Sequence, residues 1–266
     1  MAISPHAIVH PSASLGEGVR VDAFATIDEG VIIGDRTWIA SHAHIINGTE
    51  IGADCSIHQG AVVGGDPQDM KYRGEPTRLE LGNRVTIREY CTINRATVAS
   101  RKTSIGDDAL IMAYSHVAHD CTIDKKAILA NSVNLAGHVH IGEAAIIGGM
   151  TAVQQFLHIG RHAFIGGGTL IRKDVPPFIR AAREPLSYIG VNTIGLGRRG
   201  FSAADRWELQ NIYRLLFVGT TNLSIGIARL QGSEYSESSY AKEILRFIDS
   251  SQNGIIRGYR QLPSKE

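Results

Sequence analysis

At 266 residues with a formal net charge of +1, the chain can hold one large domain or a domain with an appendage, and it offers neither a basic field for nucleic acid nor an acidic tail. Its start, Met1-Ala2-Ile3-Ser4-Pro5-His6, lacks the charged-then-apolar order of a secretory signal, and no apolar run approaches the ~18 residues of a stable membrane insertion. Three scattered cysteines exclude a disulfide framework and fit a reducing cytoplasm, while 29 glycines against 6 % aromatics suit tightly turning β-structure.

From Ile3 the chain repeats every six residues: Val9, Leu15, Val21, Ile27, Ile33, and onward to Val63. The register resumes at Leu81, Ile87 and Ile93 and runs from Ile105 to Ile171. Of 29 positions in the series, 26 are Ile, Leu or Val; Asp69, Glu75 and Ala99 are the exceptions. A period of six fits neither an amphipathic helix nor a flat amphipathic strand. It fits a prism in which each unit is one short strand and a corner, three units closing an 18-residue coil, with the aliphatic residue inward. This is an all-β parallel β-helix of hexapeptide repeats, a class that winds left-handed; the period itself does not give the hand. Glycine often follows the aliphatic residue (Gly16, Gly34, Gly52, Gly82, Gly106), where a corner is expected to need an unusual φ. Small residues such as Ala43, Ala109 and Ala127 lie four after it, as do Cys55, Cys91 and Cys121, which are read as core packing.

The series breaks at 64–80, rich in Gly, Pro and charge, and again near 94–104. The first break is a loop leaving the prism, either a tolerated insertion or a functional segment. The repeat ends at Asp174-Val-Pro-Pro177, since two prolines cannot donate to a ladder. We therefore divide the chain into a β-helix domain, 1–177, and a linker with a small C-terminal α-helical domain, 178–266. An irregular stretch precedes Ser202-Ala-Ala-Asp205, a capping-box start for a helix bearing Trp207, Ile212, Leu215 and Leu216. Two more helices are predicted around 222–230 and 237–250.

Residues 18 apart stack on successive coils about 4.8 Å apart. His119, Gly137 and Gln155 form such a stack, with His138 beside Gly137 and His116 near the same corner. A lone histidine on such a surface is ordinarily structural, but here an imidazole, a glycine N–H, a second imidazole and an amide converge. An imidazole can remove a hydroxyl proton, a backbone N–H can hold an oxyanion, and Asp120 can orient the base. The rival is a metal site in which His116, His119 and His138 hold Zn²⁺ with ligands about 2.1 Å from the ion. Metal-dependent hexapeptide-repeat carbonic anhydrases use intersubunit histidines so; our expectation is acyl transfer without metal.

Several stretches closely resemble the UDP-N-acetylglucosamine O-acyltransferases, the family that opens lipid A synthesis. They are His116-Val-Ala-His119-Asp-Cys-Thr, Ile128-Leu-Ala-Asn131, Leu135-Ala-Gly137-His138-Val and Ile147-Gly-Gly-Met-Thr-Ala-Val-Gln-Gln-Phe156. Gln68-Asp69-Met-Lys71-Tyr72-Arg-Gly74-Glu75-Pro76-Thr77, Asp174-Val-Pro-Pro177, Gly190-Val-Asn192 and Arg198-Arg199-Gly200-Phe201 match too. The resemblance runs from about residue 3 to 205, the remainder matching mainly in helical layout. It implies a cytoplasmic homotrimer with sites in clefts between prisms. His119 would deprotonate the sugar 3-hydroxyl with Asp120 in support, and Gly137 would hold the oxyanion. The donor would be a 3-hydroxyacyl chain on the phosphopantetheine of acyl carrier protein, with no bound cofactor. Asp69, His116, His138 and Gln155 would bind the sugar, and Lys71 a phosphate. Asn192, Arg198 and Arg199 would meet the nucleotide or the donor arm, and Gly167, lacking a side chain, would leave the groove open to a long acyl chain. Arg198, Arg199, Arg206 and Arg214 form a basic patch that could steer an acidic carrier.

The chain departs from the family pattern at Asn94 and Gln154, where His is frequent, at Ile194, where some members are acidic, and at Arg183-Glu-Pro-Leu186. Those departures bear on sugar and acyl preference, because some relatives acylate a 3-amino sugar to give an amide. The related N-acyltransferase carries an N-terminal uridine-binding domain, for which a repeat beginning at Ile3 leaves no room.

Overall fold

The computed structural model describes residues 2–220 and 222–258. Its prism is a left-handed parallel β-helix built of three sheets with 9, 9 and 8 strands among the described residues, the first sheet being extended to 11 by two strands beyond the coils. The sheets begin at Ala2–Ile3, Ile8–Val9 and Ser14–Leu15, and each strand pairs in parallel with the strand one coil on, as Ile3 does with Val21. We call the corners from first to second, second to third and third to first sheet the first, second and third edges. The aliphatic series fills the interior: Val21, Ile27, Ile33 and Ile39 are essentially inaccessible. Ala43, Ala109, Ala127 and the three cysteines share that interior, with burial pushing the Cys91 thiol up to about 11 and the Cys121 thiol to about 12.

Two coils are longer than 18 residues. One step spans 30 residues, with Ser56 opposite Thr86, and the next spans 24, with Thr86 opposite Leu110. Both excursions, 66–77 and 95–101, leave at the second edge. The first is shorter than the broken register suggested, because Gly64 and Gly65 extend the strand from Val62 and Arg78 begins the next one.

The expectation for glycine was wrong in its reason. Gly34 and Gly52 do not have positive φ; an added Cβ would instead lie 2.6 Å from backbone of the next coil at Gly34, and 2.5 Å at Gly52. Stacked coils demand a missing side chain there. The left-handed residues fall three after the aliphatic position and are mostly not glycine, among them Phe24, His42, Tyr114, Asp120 and His138.

After the prism, Ile179–Ala182 adds in parallel to the first sheet and Ser187–Val191 folds back antiparallel, where the sequence read an irregular stretch. Four helices follow among the described residues: α1 (Thr193–Arg198), which periodicity missed, α2 (Ala203–Phe217), α3 (Leu223–Gln231) and α4 (Ser239–Ser250). Ser202 and Asp205 form the expected capping box. Tyr213 Oη donates to Pro177 O at 2.6 Å, and Arg161 pairs with Glu243 of α4 at 2.6 Å, fixing the helices to the prism. None of the helices is long and apolar enough to cross a membrane.

Candidate active site

The second edge carries the proposed chemistry. His119 follows the strand His116–Val117, and one coil on its ring lies flat against Gly137: an added Cβ there would stand 2.7 Å from the imidazole Cε1. The imidazole Nδ1–H donates to Asp120 Oδ2 at 2.6 Å, which leaves Nε2 as the free basic nitrogen. Asp120 adopts φ 61°, turning its side chain under the corner, where it is 0 % exposed.

That carboxylate is satisfied almost wholly by the second excursion. Thr97 N donates to Oδ1 at 3.1 Å and Thr97 Oγ1 to Oδ2 at 2.8 Å; Ser100 N adds 3.2 Å, and the Ser100 hydroxyl also donates to Oδ1. Burial alone pushes the Asp120 carboxyl up, but the donors from Ser100, His119 and Thr97 outweigh it and hold the pKa at about 2. The acid is thus ionised across the physiological range, and it orients His119 without competing for its proton. Its folded pKa lies below its ordinary 3.8, so it contributes stability above that value and loses it as pH falls through about 2. Ser100→Ala is expected to cost about 2 kcal/mol near neutrality, with the deficit in Tm narrowing towards pH ~2 as both carboxyls protonate. A deficit that stays constant down to that pH would mean the hydroxyl does not serve the carboxylate.

His138 also has φ 61°, and its Nε2 stands 3.6 Å from Asp120 Oδ2. Its ring meets His119 edge-on at 5.3 Å and stacks on Phe156 at 4.5 Å. Gln155, one coil further at the same edge, is exposed. His116 stands apart: its Nδ1 bonds Thr92 Oγ1 at 2.7 Å, and burial, then the neighbouring His119, lower its pKa. The rival triad of His116, His119 and His138 is not gathered: among the described residues, the potential ligand atoms within 4.8 Å of one another belong to His119, Asp120 and His138. Asp120 already accepts five hydrogen bonds, a donor set that suits an orienting acid better than a metal ligand.

Asp69 and Lys71 lie on the first excursion, at the same edge, in a turn closed by Lys71 N to Asp69 Oδ1 at 2.9 Å and Tyr72 N to Asp69 O at 3.0 Å. The other expected residues sit elsewhere on the chain. Asn192 is buried, capping α1 through Gly195 N and donating to His162 O at 3.0 Å, while Arg199 donates to Ala144 O at 2.9 Å; both partners are third-edge residues. Arg198 and Ile194 are exposed on α1. Gly167 is on the first edge, between Phe164, Leu170 and the exposed Met150. The chain thus gathers His119, Asp120, Gly137, His138 and Gln155 at one corner, carries Asp69 and Lys71 on a loop that leaves the same edge, and places Asn192, Arg198, Arg199 and Gly167 elsewhere. Of the departures, Asn94 is buried with Nδ2 on Asp66 O at 2.6 Å, and Gln154 is exposed. Sequence reasoning missed the roles of Thr97, Ser100 and Phe156; the one signal for the first two was that the 94–104 break falls at the His119 edge.

Known proteins place this geometry. The family model "Udp N-acetylglucosamine O-acyltransferase; Domain 2" matches residues 174–256, and the bacterial transferase hexapeptide model matches 30–65 and 102–137. The acyl-(acyl-carrier-protein)–UDP-N-acetylglucosamine O-acyltransferase of Thermodesulfovibrio yellowstonii is 44 % identical over 252 residues, covering 94 % of this chain and 97 % of that protein. Its counterpart in Burkholderia lata is 45 % identical over 261 residues, covering 96 % and 99 %. The crystal structure of the UDP-N-acetylglucosamine acyltransferase from Bacteroides fragilis superimposes with a TM-score of 0.92 at 41 % identity, over 96 % of this chain and 99 % of that one. On identity of this extent over nearly the whole length, the chain belongs to the UDP-N-acetylglucosamine O-acyltransferase family.

Proposed function

We propose that this protein transfers a 3-hydroxyacyl chain from acyl carrier protein to the 3-hydroxyl of UDP-N-acetylglucosamine, in the cytoplasm, as the first step of lipid A synthesis. The observation that carries the reading is the 2.6 Å pair of His119 and Asp120 set against Gly137. His119 Nε2 takes the hydroxyl proton as the sugar oxygen attacks the thioester carbon, and the Gly137 N–H receives the developing oxyanion. Collapse breaks the C–S bond, and the imidazolium returns the proton to the departing phosphopantetheine thiolate. Asp120, ionised and enclosed, stabilises the imidazolium meanwhile.

The same reading includes a homotrimer, and the exposed surface supports it. The first edge exposes a column of large apolar side chains, Phe24, Tyr90, Tyr114 and Met150, of the kind that a partner surface covers. A neighbour's first or third edge, laid along the second edge, would bring Gly167 or Asn192 and Arg199 to His119. Phe164, Leu170 and Met150 around Gly167 would then line an acyl groove, open to a long chain. Arg198, Arg206 and Arg214 lie on the helices where an acidic carrier could approach.

The test is transfer from a series of 3-hydroxyacyl carrier proteins to UDP-N-acetylglucosamine, with products identified by mass and alkaline lability. Ester product with the longer donors is the expected result. Product only with the 3-amino sugar would replace the acceptor, and a preference for a ten-carbon donor would overturn the open-groove reading.

A further inference from the structure

The excursion 95–101 touches both halves of the site. Thr97 and Ser100 hold Asp120 from one end. From the other, Arg95 reaches under the 66–77 loop with its side chain only 13 % exposed. Its five N–H donors are all engaged. Nη1 donates to Asn47 O at 3.0 Å and to Asn47 Oδ1; Nη2 donates to Asp66 Oδ1 and, at 2.9 Å, to Tyr72 Oη; Nε donates to the same hydroxyl at 3.2 Å. The guanidinium also lies over the Tyr72 ring at 5.8 Å, and Arg95 N donates to Gly65 O at 2.9 Å.

The loop has little else to order it. Between residues 66 and 77 only Pro67 and Thr77 are buried, so no apolar cluster of its own fixes the path. Tyr72 closes the turn that begins at Asp69, and its hydroxyl donates to Glu75 O at 3.2 Å. Wherever Arg95 holds Tyr72, it also holds Asp69 and Lys71.

We propose that Arg95 is a positioning residue for the sugar-nucleotide acceptor: it presets the Asp69–Tyr72 turn against the edge that carries His119. The inference rests on reading that turn as part of the acceptor site. Arg95 itself touches no reacting atom. Its planar fork meets acceptors on the coil below and at two points of the loop, which an ammonium cannot reproduce.

Steady-state kinetics on the full-length protein decide it, with Arg95→Met, Tyr72→Phe and Lys71→Ala beside wild type. Arg95→Met is expected to raise KM for UDP-N-acetylglucosamine about tenfold, with kcat at saturation and KM for the acyl carrier protein within about threefold. Cleavage by trypsin after Lys71 or Arg73 should accelerate in parallel. Tyr72→Phe, which keeps the Asn47 and Asp66 bonds, should raise the same KM about threefold and serves if Arg95→Met does not fold. A raised KM in Lys71→Ala with none in the Arg95 and Tyr72 variants overturns the positioning role alone. No rise in any of the three overturns the acceptor reading of the loop, and the proposal with it. A fall in kcat with unchanged KM overturns the proposal as well.

Discussion

His119→Ala is expected to lower kcat about 10³-fold, within the range that a positioned general base contributes. The size follows from what remains. Asp120 is ionised but 0 % exposed and saturated with hydrogen bonds, so it cannot reach a substrate hydroxyl. His138 leans towards Asp120 at 3.6 Å and is stacked on Phe156, so it has no freedom to take over the vacated position. KM for the acceptor should change little, because the imidazole acts mainly as the hydroxyl loses its proton. A variant within about tenfold of wild type would show that another group removes that proton.

Gly137→Ala is expected to lower kcat about 10²-fold while leaving the fold intact. Gly137 does not have positive φ, so alanine brings no backbone penalty. Its Cβ, however, would stand 2.7 Å from Cε1 and 2.9 Å from Nε2 of His119. The ring cannot retreat without breaking the 2.6 Å bond to Asp120. An ångström of misplacement at a catalytic base costs about two orders of magnitude in rate. The check pairs kcat with thermal unfolding: lost kcat with a cooperative transition and a Tm deficit no larger than that of Ser100→Ala is predicted, and unchanged kcat would mean that the imidazole does not occupy this position during turnover.

The period of six was enough to place three sheets, the interior and the edges, because the two excursions add 12 and 6 residues and so leave the phase of the series intact at Leu81 and Ile105. The stack of His119, Gly137 and Gln155 was legible for the same reason: in the regular coils between them, a spacing of 18 is a spatial contact. The supports of Asp120 were not legible. Thr97 and Ser100 lie 23 and 20 residues before it, a separation that means contact only once the excursion's length and its edge are known. Glycine was misjudged because a close approach between coils and a positive φ leave the same residue in the sequence. Short α1 has too few residues to show a helical period, and the hairpin before it pairs with the prism rather than repeating it. Asn192 and Arg199 were placed by resemblance, which names residues but not the edge of the prism they occupy.

Whether the His119–Asp120 pair is the base of an acyl transfer is decided by the pH dependence of kcat/KM in wild type and His119→Ala. Asp120, held at about 2, does not titrate in the working range, so the comparison of the two proteins isolates the contribution of His119. The wild-type rate is expected to fall about tenfold per pH unit on the acid side while the residual rate of His119→Ala stays flat. The same acid limb in both proteins would contradict it.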